Sequence, residues 1–193
     1  MMSDGSRKRL SDLNIGDTVL SVNSASGELE FSPVILFLDR EPTEVRQFYS
    51  LLTENGHSLT LTPEHLIFSH FAEDASQAEF EAVYAKDVQE GDFVLVSTGK
   101  GQLEKVRVTQ VEMRVLTGVY APLTSAGNLV VDNVVASCYA VVDSQNIAHA
   151  AFAPLRWASH LYTTNEITTG IHWYARALYS IAEVVMPRHL QLP

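Results

Sequence analysis

The feature that most constrains this chain is an internal repeat. Leu13-Asn14-Ile15-Gly16-Asp17-Thr18-Val19-Leu20 returns as Val88-Gln89-Glu90-Gly91-Asp92-Phe93-Val94-Leu95, 75 residues later. Both copies carry a Gly-Asp pair and, after one further residue, a Val-Leu pair. Leu59-Thr60-Leu61-Thr62 has a looser echo in Leu129-Val130-Val131-Asp132. Self-similarity at this spacing implies two copies of one subdomain, each completing the other's core. Two unrelated hairpins sharing Gly-Asp turn chemistry are the plainer alternative.

The subdomain is a β structure. Thr18 to Val22, Val34 to Leu38, Phe48 to Leu52, Phe93 to Ser97, Val106 to Met113, Val119 to Leu123 and Leu129 to Val135 are short runs rich in Val, Leu, Ile, Phe and Tyr. Turn residues such as Glu54-Asn55-Gly56 and Ser125-Ala126-Gly127-Asn128 separate them. Short strands at such spacing predict an all-β domain. Phe71 to Glu81 is more polar and reads as a surface loop.

After Ala140 the period changes from two to that of a helix. Phe152, Leu155, Ser159 and Tyr162 follow one stripe, and Ile171, Tyr174, Leu178, Ile181 and Val185 another, closed by Pro187. Two helices of about sixteen residues are too short to span a bilayer. Their apolar faces predict packing on the β domain or contact with lipid.

Charge and cysteine content narrow the partners. Thirteen basic residues against 23 acidic ones give a net charge of −10, which argues against nucleic acid. Arg7-Lys8-Arg9 is a short solvated edge. One cysteine, Cys138, excludes an internal disulfide and a cysteine-rich zinc site. No cofactor-binding or metal motif is present: no His-Glu-x-x-His, no Gly-rich phosphate loop and no Gly-x-Ser-x-Gly. The first thirty residues hold no apolar signal core, so a targeting signal is expected outside this chain.

Three places could carry chemistry. Thr62-Pro63-Glu64-His65 ends a strand and puts a hydroxyl and an imidazole on one turn. Asp39 closes the apolar run Val34-Ile35-Leu36-Phe37-Leu38 and is a candidate base, or a carboxylate that simply ends the strand in water. Cys138 lies in an apolar run, where a lone thiol is commonly an inert core residue.

Taken together, the pieces resemble the Hedgehog C-terminal autoprocessing domain, a member of the Hint superfamily shared with inteins. Val34 to Arg40 (VILFLDR), Leu59 to Phe68 (LTLTPEHLIF), Tyr120 to Thr124 (YAPLT), Ala136 to Val142 (ASCYAVV), Ala148 to Arg156 (AHAAFAPLR) and Gly170 to Tyr174 (GIHWY) occur in family order. The resemblance implies an all-β, pseudo-twofold, disc-like domain over residues 1–142 and a helical sterol-recognition region over 143–193. It implies that a cysteine at the domain's first residue attacks the preceding glycine carbonyl, and that cholesterol, as co-substrate, takes the N-terminal signalling fragment from the thioester. By position, Thr62 would polarise the scissile amide, His65 would move the proton of the acyl shift and Asp39 would activate the sterol hydroxyl. Cys138 matches a cysteine associated with redox pairing to the nucleophile. Phe152, Trp157, Trp173, Tyr174 and Tyr179 become candidates for sterol contact.

The implied partners are cholesterol, a membrane surface reached by the tail, and a signalling domain in cis, in the secretory pathway. The family's opening Cys-Phe is not among these residues, so the chain by itself is expected to be inactive. A non-catalytic β module or inactive relic binding sterol, membrane or protein through its tail is the alternative. Thr62, His65 and Cys138 are expected to face one cleft, open on one side, with Asp39 at its rim. The tail is expected to be loosely held.

Overall fold

A computed structural model describes residues 1–70, 80–98, 101–140, 145–159 and 170–177. The strands are β1 (Thr18–Val22), β2 (Leu29–Thr53), β3 (Ser58–Leu61), β4 (His65–His70), β5 (Glu81–Tyr84), β6 (Phe93–Ser97), β7 (Leu103–Thr124), β8 (Asn128–Val131), β9 (Val134–Ala140) and β10 (Gly170–Ile171). Helices α1 (Gln145–Ala151) and α2 (Ala153–Ser159) follow the body, and residues 173–177 form a further helical turn. Every strand pairing is antiparallel, and the sheet runs β1-β2-β7-β6-β4-β9-β8.

The repeat is duplicated hydrogen bond by hydrogen bond. Asn14 N–H donates to Asp17 Oδ2 at 2.7 Å, and Gln89 N–H to Asp92 Oδ2 at 2.8 Å. Gly16 N–H reaches Val34 O at 2.8 Å, and Gly91 N–H reaches Val108 O at 2.8 Å. The return bonds, Val34 N–H to Asp17 O and Val108 N–H to Asp92 O, measure 2.8 and 2.7 Å. Both glycines have positive φ, 92° and 104°. The Gly-Asp pair is thus a clamp: the carboxylate closes its own turn while the flanking backbone grips the long strand that follows.

Those long strands depart from the short ones expected. Val34–Leu38 and Phe48–Leu52 belong to one 25-residue strand, and Val106–Met113 and Val119–Leu123 to one of 22 residues. Polar residues between them do not end the strands, because each supplies the other's backbone partners from Val34↔Thr124 to Thr53↔Val108. Register shifts at four points let the ribbon bend as it crosses the molecule. Among the described residues three apolar clusters lie about it, two of them large. One of the large pair holds Leu51, Leu59, Ile67, Val94, Val96 and Val134; the other holds Val34, Phe37, Leu66, Leu123, Cys138 and Tyr139.

The tail joins the second cluster. Ala148, Phe152 and Ala175 are buried in it. Phe152 stacks on Tyr139 with ring centroids 5.5 Å apart. The described tail is therefore anchored, which corrects the expectation of loose attachment: an aromatic on β9 gives it an apolar seat. The first stripe is two short helices rather than one, and the described part of the second begins with β10 pairing Gly170↔Arg40 and Ile171↔Asp39. Tyr162, Leu178, Ile181, Val185 and Pro187 lie outside the described residues, as do residues 71–79 of the expected loop.

At Gly127 an added side chain would run into the tail. The glycine's φ is +74°, and a Cβ there would stand 2.4 Å from His149 Nδ1 and 3.1 Å from the Tyr139 hydroxyl. Gly127→Ala is expected to lower stability by about 1–2 kcal/mol from left-handed backbone strain, and to lift His149 off Tyr139. Thermal unfolding together with limited proteolysis of the tail checks this. An unchanged melting midpoint and unchanged cleavage pattern would show that the seat tolerates a side chain.

Candidate active site

Thr62 follows β3 and opens the turn into β4. His65 N–H closes that turn on Thr62 O at 3.0 Å. His65 begins β4, opposite Ala140 of β9, with an irregularity before the next pair, Ile67↔Ala136. This shift brings the imidazole onto the β9 backbone, where Nε2 lies 2.9 Å from Ser137 O. A carbonyl can only accept, so Nε2 carries the hydrogen and Nδ1 is left with a lone pair. Burial lowers the imidazole's pKa below its ordinary 6.5, against the opposing pull of the Ser137 carbonyl. The neutral ring is the stable form at neutral pH, so Nδ1 can take a proton and return it.

Cys138 occupies the same stretch of β9 and is buried. Its N–H donates to Gly127 O at 2.9 Å, and its Sγ lies 3.6 Å from Thr124 Oγ1. Thr124 spends its hydroxyl hydrogen on Asn128 O at 2.7 Å, so it offers the sulfur a lone pair and the thiol donates. Burial raises the Cys138 pKa to about 11. A thiol held protonated at neutral pH is a poor nucleophile.

Asp39 stands apart, on β2 between Ala121 of β7 and Ile171 of β10. Its Oδ2 accepts from Arg46 Nη1 at 2.8 Å. Its Oδ1 is buried and has no hydrogen-bond partner among the described residues. The segment Tyr120 to Thr124 links the two places. Ala121 faces Asp39 and Thr124 meets Cys138, three residues or roughly 10 Å along one strand. The structure thus brings His65 and Cys138 to one pair of strands, with Thr62 at its turn, and sets Asp39 where the tail returns to the body.

The five aromatic tail candidates divide. Phe152 is buried against Tyr139, and Tyr174 is half-buried, its hydroxyl donating to Ala151 O at 3.0 Å. These two have the contacts of packing residues. Trp157 and Trp173 are 76% and 69% exposed. Tyr179 lies outside the described residues.

Several contributors escaped sequence reasoning. Tyr139 binds the tail through its hydroxyl, 3.0 Å from His149 Nδ1 and 3.2 Å from Arg156 Nη1. Thr124 sits in YAPLT, which carries the resemblance without revealing that its hydroxyl meets Cys138. Arg46 has no sequence signal at all. Among the described residues no cluster of three or more His, Cys, Asp or Glu could hold a metal ion.

Comparison with known proteins bears on the family and the fold. The description of one family, the Hint module, matches residues 1–187. The chain is 40% identical over 211 residues to protein hedgehog of Drosophila virilis, covering 97% of this chain and 42% of that protein. It is 37% identical over 205 residues to sonic hedgehog protein of Danio rerio, covering 100% of this chain and 49% of that protein. It therefore spans less than half the length of these relatives. Among solved structures, the PabCDC21-1 intein superposes with a TM-score of 0.59 at 12% identity, over 71% of this chain and 92% of the intein. A DnaB intein from Synechocystis sp. PCC 6803 gives 0.57 at 13% identity, over 70% and 89%. At those identities the likeness establishes the fold alone.

Proposed function

The chain belongs to the Hint module family, and we propose that it is the C-terminal autoprocessing domain of a hedgehog-type precursor, passing the segment that precedes it to cholesterol. In the first step a cysteine thiol at the module's opening residue attacks the carbonyl carbon of the preceding glycine. The C–N bond breaks, a thioester forms and the amine leaves with a proton. His65 serves both halves: Nδ1 accepts the thiol proton and the resulting imidazolium supplies the amine. Thr62, on the same turn, polarises the amide. In the second step the sterol oxygen attacks the thioester, the C–S bond breaks, Asp39 takes the hydroxyl proton and the thiolate recovers it. Cys138, buried and protonated, serves as a redox partner of the nucleophile rather than as the nucleophile.

The observation that carries this reading is the separation of two proton-handling groups. His65 lies within the body, whereas Asp39 lies where β10 pairs against it. Two successive acyl transfers with different nucleophiles call for such a division. A second base beside the tail suits a nucleophile that the tail would bring.

The test uses a precursor with a short tag and a Gly-Cys-Phe junction ahead of residue 1. Cleavage with dithiothreitol and with cholesterol is followed separately, with and without residues 143–193. Thiol cleavage is expected in both forms, and cholesterol cleavage only with the tail. Cholesterol cleavage without the tail, or no cleavage at all in a folded precursor, overturns the reading. Such a precursor would act in the secretory pathway, as hedgehog signalling proteins do.

Exposure of Trp157 and Trp173 favours a second property, attachment of the tail to a sterol-containing bilayer surface. Indole rings suit that interface because one edge is polar. With a net charge of −10, the contact would be apolar rather than an attraction to anionic lipid. Trp157→Ala with Trp173→Ala is expected to cut flotation with cholesterol liposomes by about fivefold or more. Equal partitioning of parent and variant would remove the claim.

A further inference from the structure

Asp39 and Arg46 meet although they are seven residues apart on one strand. A regular strand would separate them by roughly 23 Å and turn them to opposite faces. The contact exists because β2 and β7 slip between the pairs Glu41↔Val119 and Val45↔Thr117, so that Pro42, Thr43 and Glu44 stand against Gly118 alone. Gly118 has φ +97°, and a Cβ there would lie 3.1 Å from Tyr120 Cε2 and 3.4 Å from Pro42 O. The bulge thus requires a glycine, and it returns Arg46 to the carboxylate.

The contact divides the two oxygens of Asp39. Arg46 Nη1 donates to Oδ2 at 2.8 Å, the length of a charge-assisted bond. Arg46 Nη2 donates to Glu44 Oε2 at 2.6 Å, so the guanidinium is held from both ends. Oδ1 remains buried and has no partner among the described residues. The neighbouring cation Arg40 is committed elsewhere: its guanidinium donates to Ser11 O and Leu13 O and lies over the Phe37 and Tyr120 rings. Among the described residues, Arg46 is the one cation in an ion pair with Asp39.

We propose that Arg46 is the positioning residue of the alcohol-activating site. It fixes Oδ2 and the side-chain rotamer of Asp39, leaving Oδ1 as the acceptor for the entering hydroxyl. This rests on the assignment of Asp39 as the base for the sterol. Removing Arg46 leaves a largely buried carboxylate without its charged partner. The side chain is then free to leave the rotamer that Arg46 holds and to swing towards water, which takes Oδ1 away from the entering hydroxyl. The thiol step is untouched, because a thiol ionises without help from Asp39.

The tagged precursor provides the test, with Arg46→Ala, Arg46→Lys, Asp39→Asn and the Arg46→Ala/Asp39→Asn double variant. Arg46→Ala is expected to slow cholesterol cleavage about tenfold or more while thiol cleavage stays within about twofold. Arg46→Lys is expected to recover about a third of the lost rate, since a lysine offers one point charge to Oδ2 but cannot also fork to Glu44. The double variant should be no slower than Asp39→Asn alone, because Arg46 acts only through Asp39. Equal loss in both cleavage assays marks a folding defect and overturns the proposal. Loss of cholesterol cleavage in Asp39→Asn with none in Arg46→Ala overturns the role of Arg46 alone. Intact cholesterol cleavage in Asp39→Asn overturns the assignment of Asp39, and that of Arg46 with it.

Discussion

Replacing His65 by alanine should reduce cleavage by dithiothreitol and by cholesterol alike, by about two to four orders of magnitude in the tagged precursor. Both nucleophiles act on the same thioester, and the thioester forms only if one group removes the thiol proton and protonates the departing amine. In the proposed reaction His65 makes that exchange. Its Nε2–H is held by Ser137 O at 2.9 Å, which leaves Nδ1 as the working atom. Burial keeps the ring neutral below its ordinary pKa of 6.5. A base whose folded pKa is lowered keeps its contribution above the unfolded value and loses it as pH falls through the folded one. The acyl shift, read as thioester released by hydroxylamine, should therefore persist at pH 6.5 and decline only on the acid side of it. A folding defect is separated by His65→Gln, which can still donate to the Ser137 carbonyl but cannot shuttle a proton. The glutamine variant should melt within a few degrees of the parent and remain inactive. Thiol cleavage in His65→Ala within tenfold of the parent would falsify the assignment.

The legible part of this fold was what the chain repeats. Gly16-Asp17 and Gly91-Asp92 gave a duplicated β architecture because each carboxylate must close a turn with its own backbone, a local constraint written into adjacent residues. His65 and Thr62 were legible for the same reason, since three residues on one turn cannot lie far apart. The long strands were not. Asp39-Arg40-Glu41 and Thr43-Glu44 read as a break, and only pairing with a strand some 75 residues away keeps the backbone extended through them. Arg46 was illegible because a bulge reverses the face that counting along a strand would assign. The tail's seat was hidden too. Phe152 follows a helical stripe on any reading, but whether that stripe meets lipid or protein depends on Tyr139, whose neighbours in sequence give no sign that its ring is the platform.

Asp39→Asn should separate the two nucleophiles most sharply, slowing cholesterol cleavage about a hundredfold or more and leaving thiol cleavage within about twofold. The difference lies in the nucleophile. A thiol is partly ionised near neutral pH and attacks a thioester unaided, whereas an alcohol must lose its proton as the new C–O bond forms. Asparagine keeps the shape and can still accept from Arg46, so the bulge and the β10 pairing at Ile171 should survive. What it loses is the ability to hold a proton. Its amide can hydrogen-bond the hydroxyl but cannot take the proton that the oxygen must lose as the C–O bond forms. Alanine removes the acceptor as well, and leaves Arg46 with Glu44 as its ion-pair partner among the described residues. It should be no more active than asparagine. Both variants should accumulate the thioester, since the first step is intact, and hydroxylamine added to the mixture should release it at the parental rate. Loss of hydroxylamine-induced release would place Asp39 in the acyl shift, alongside His65, and would remove the division of labour between body and tail.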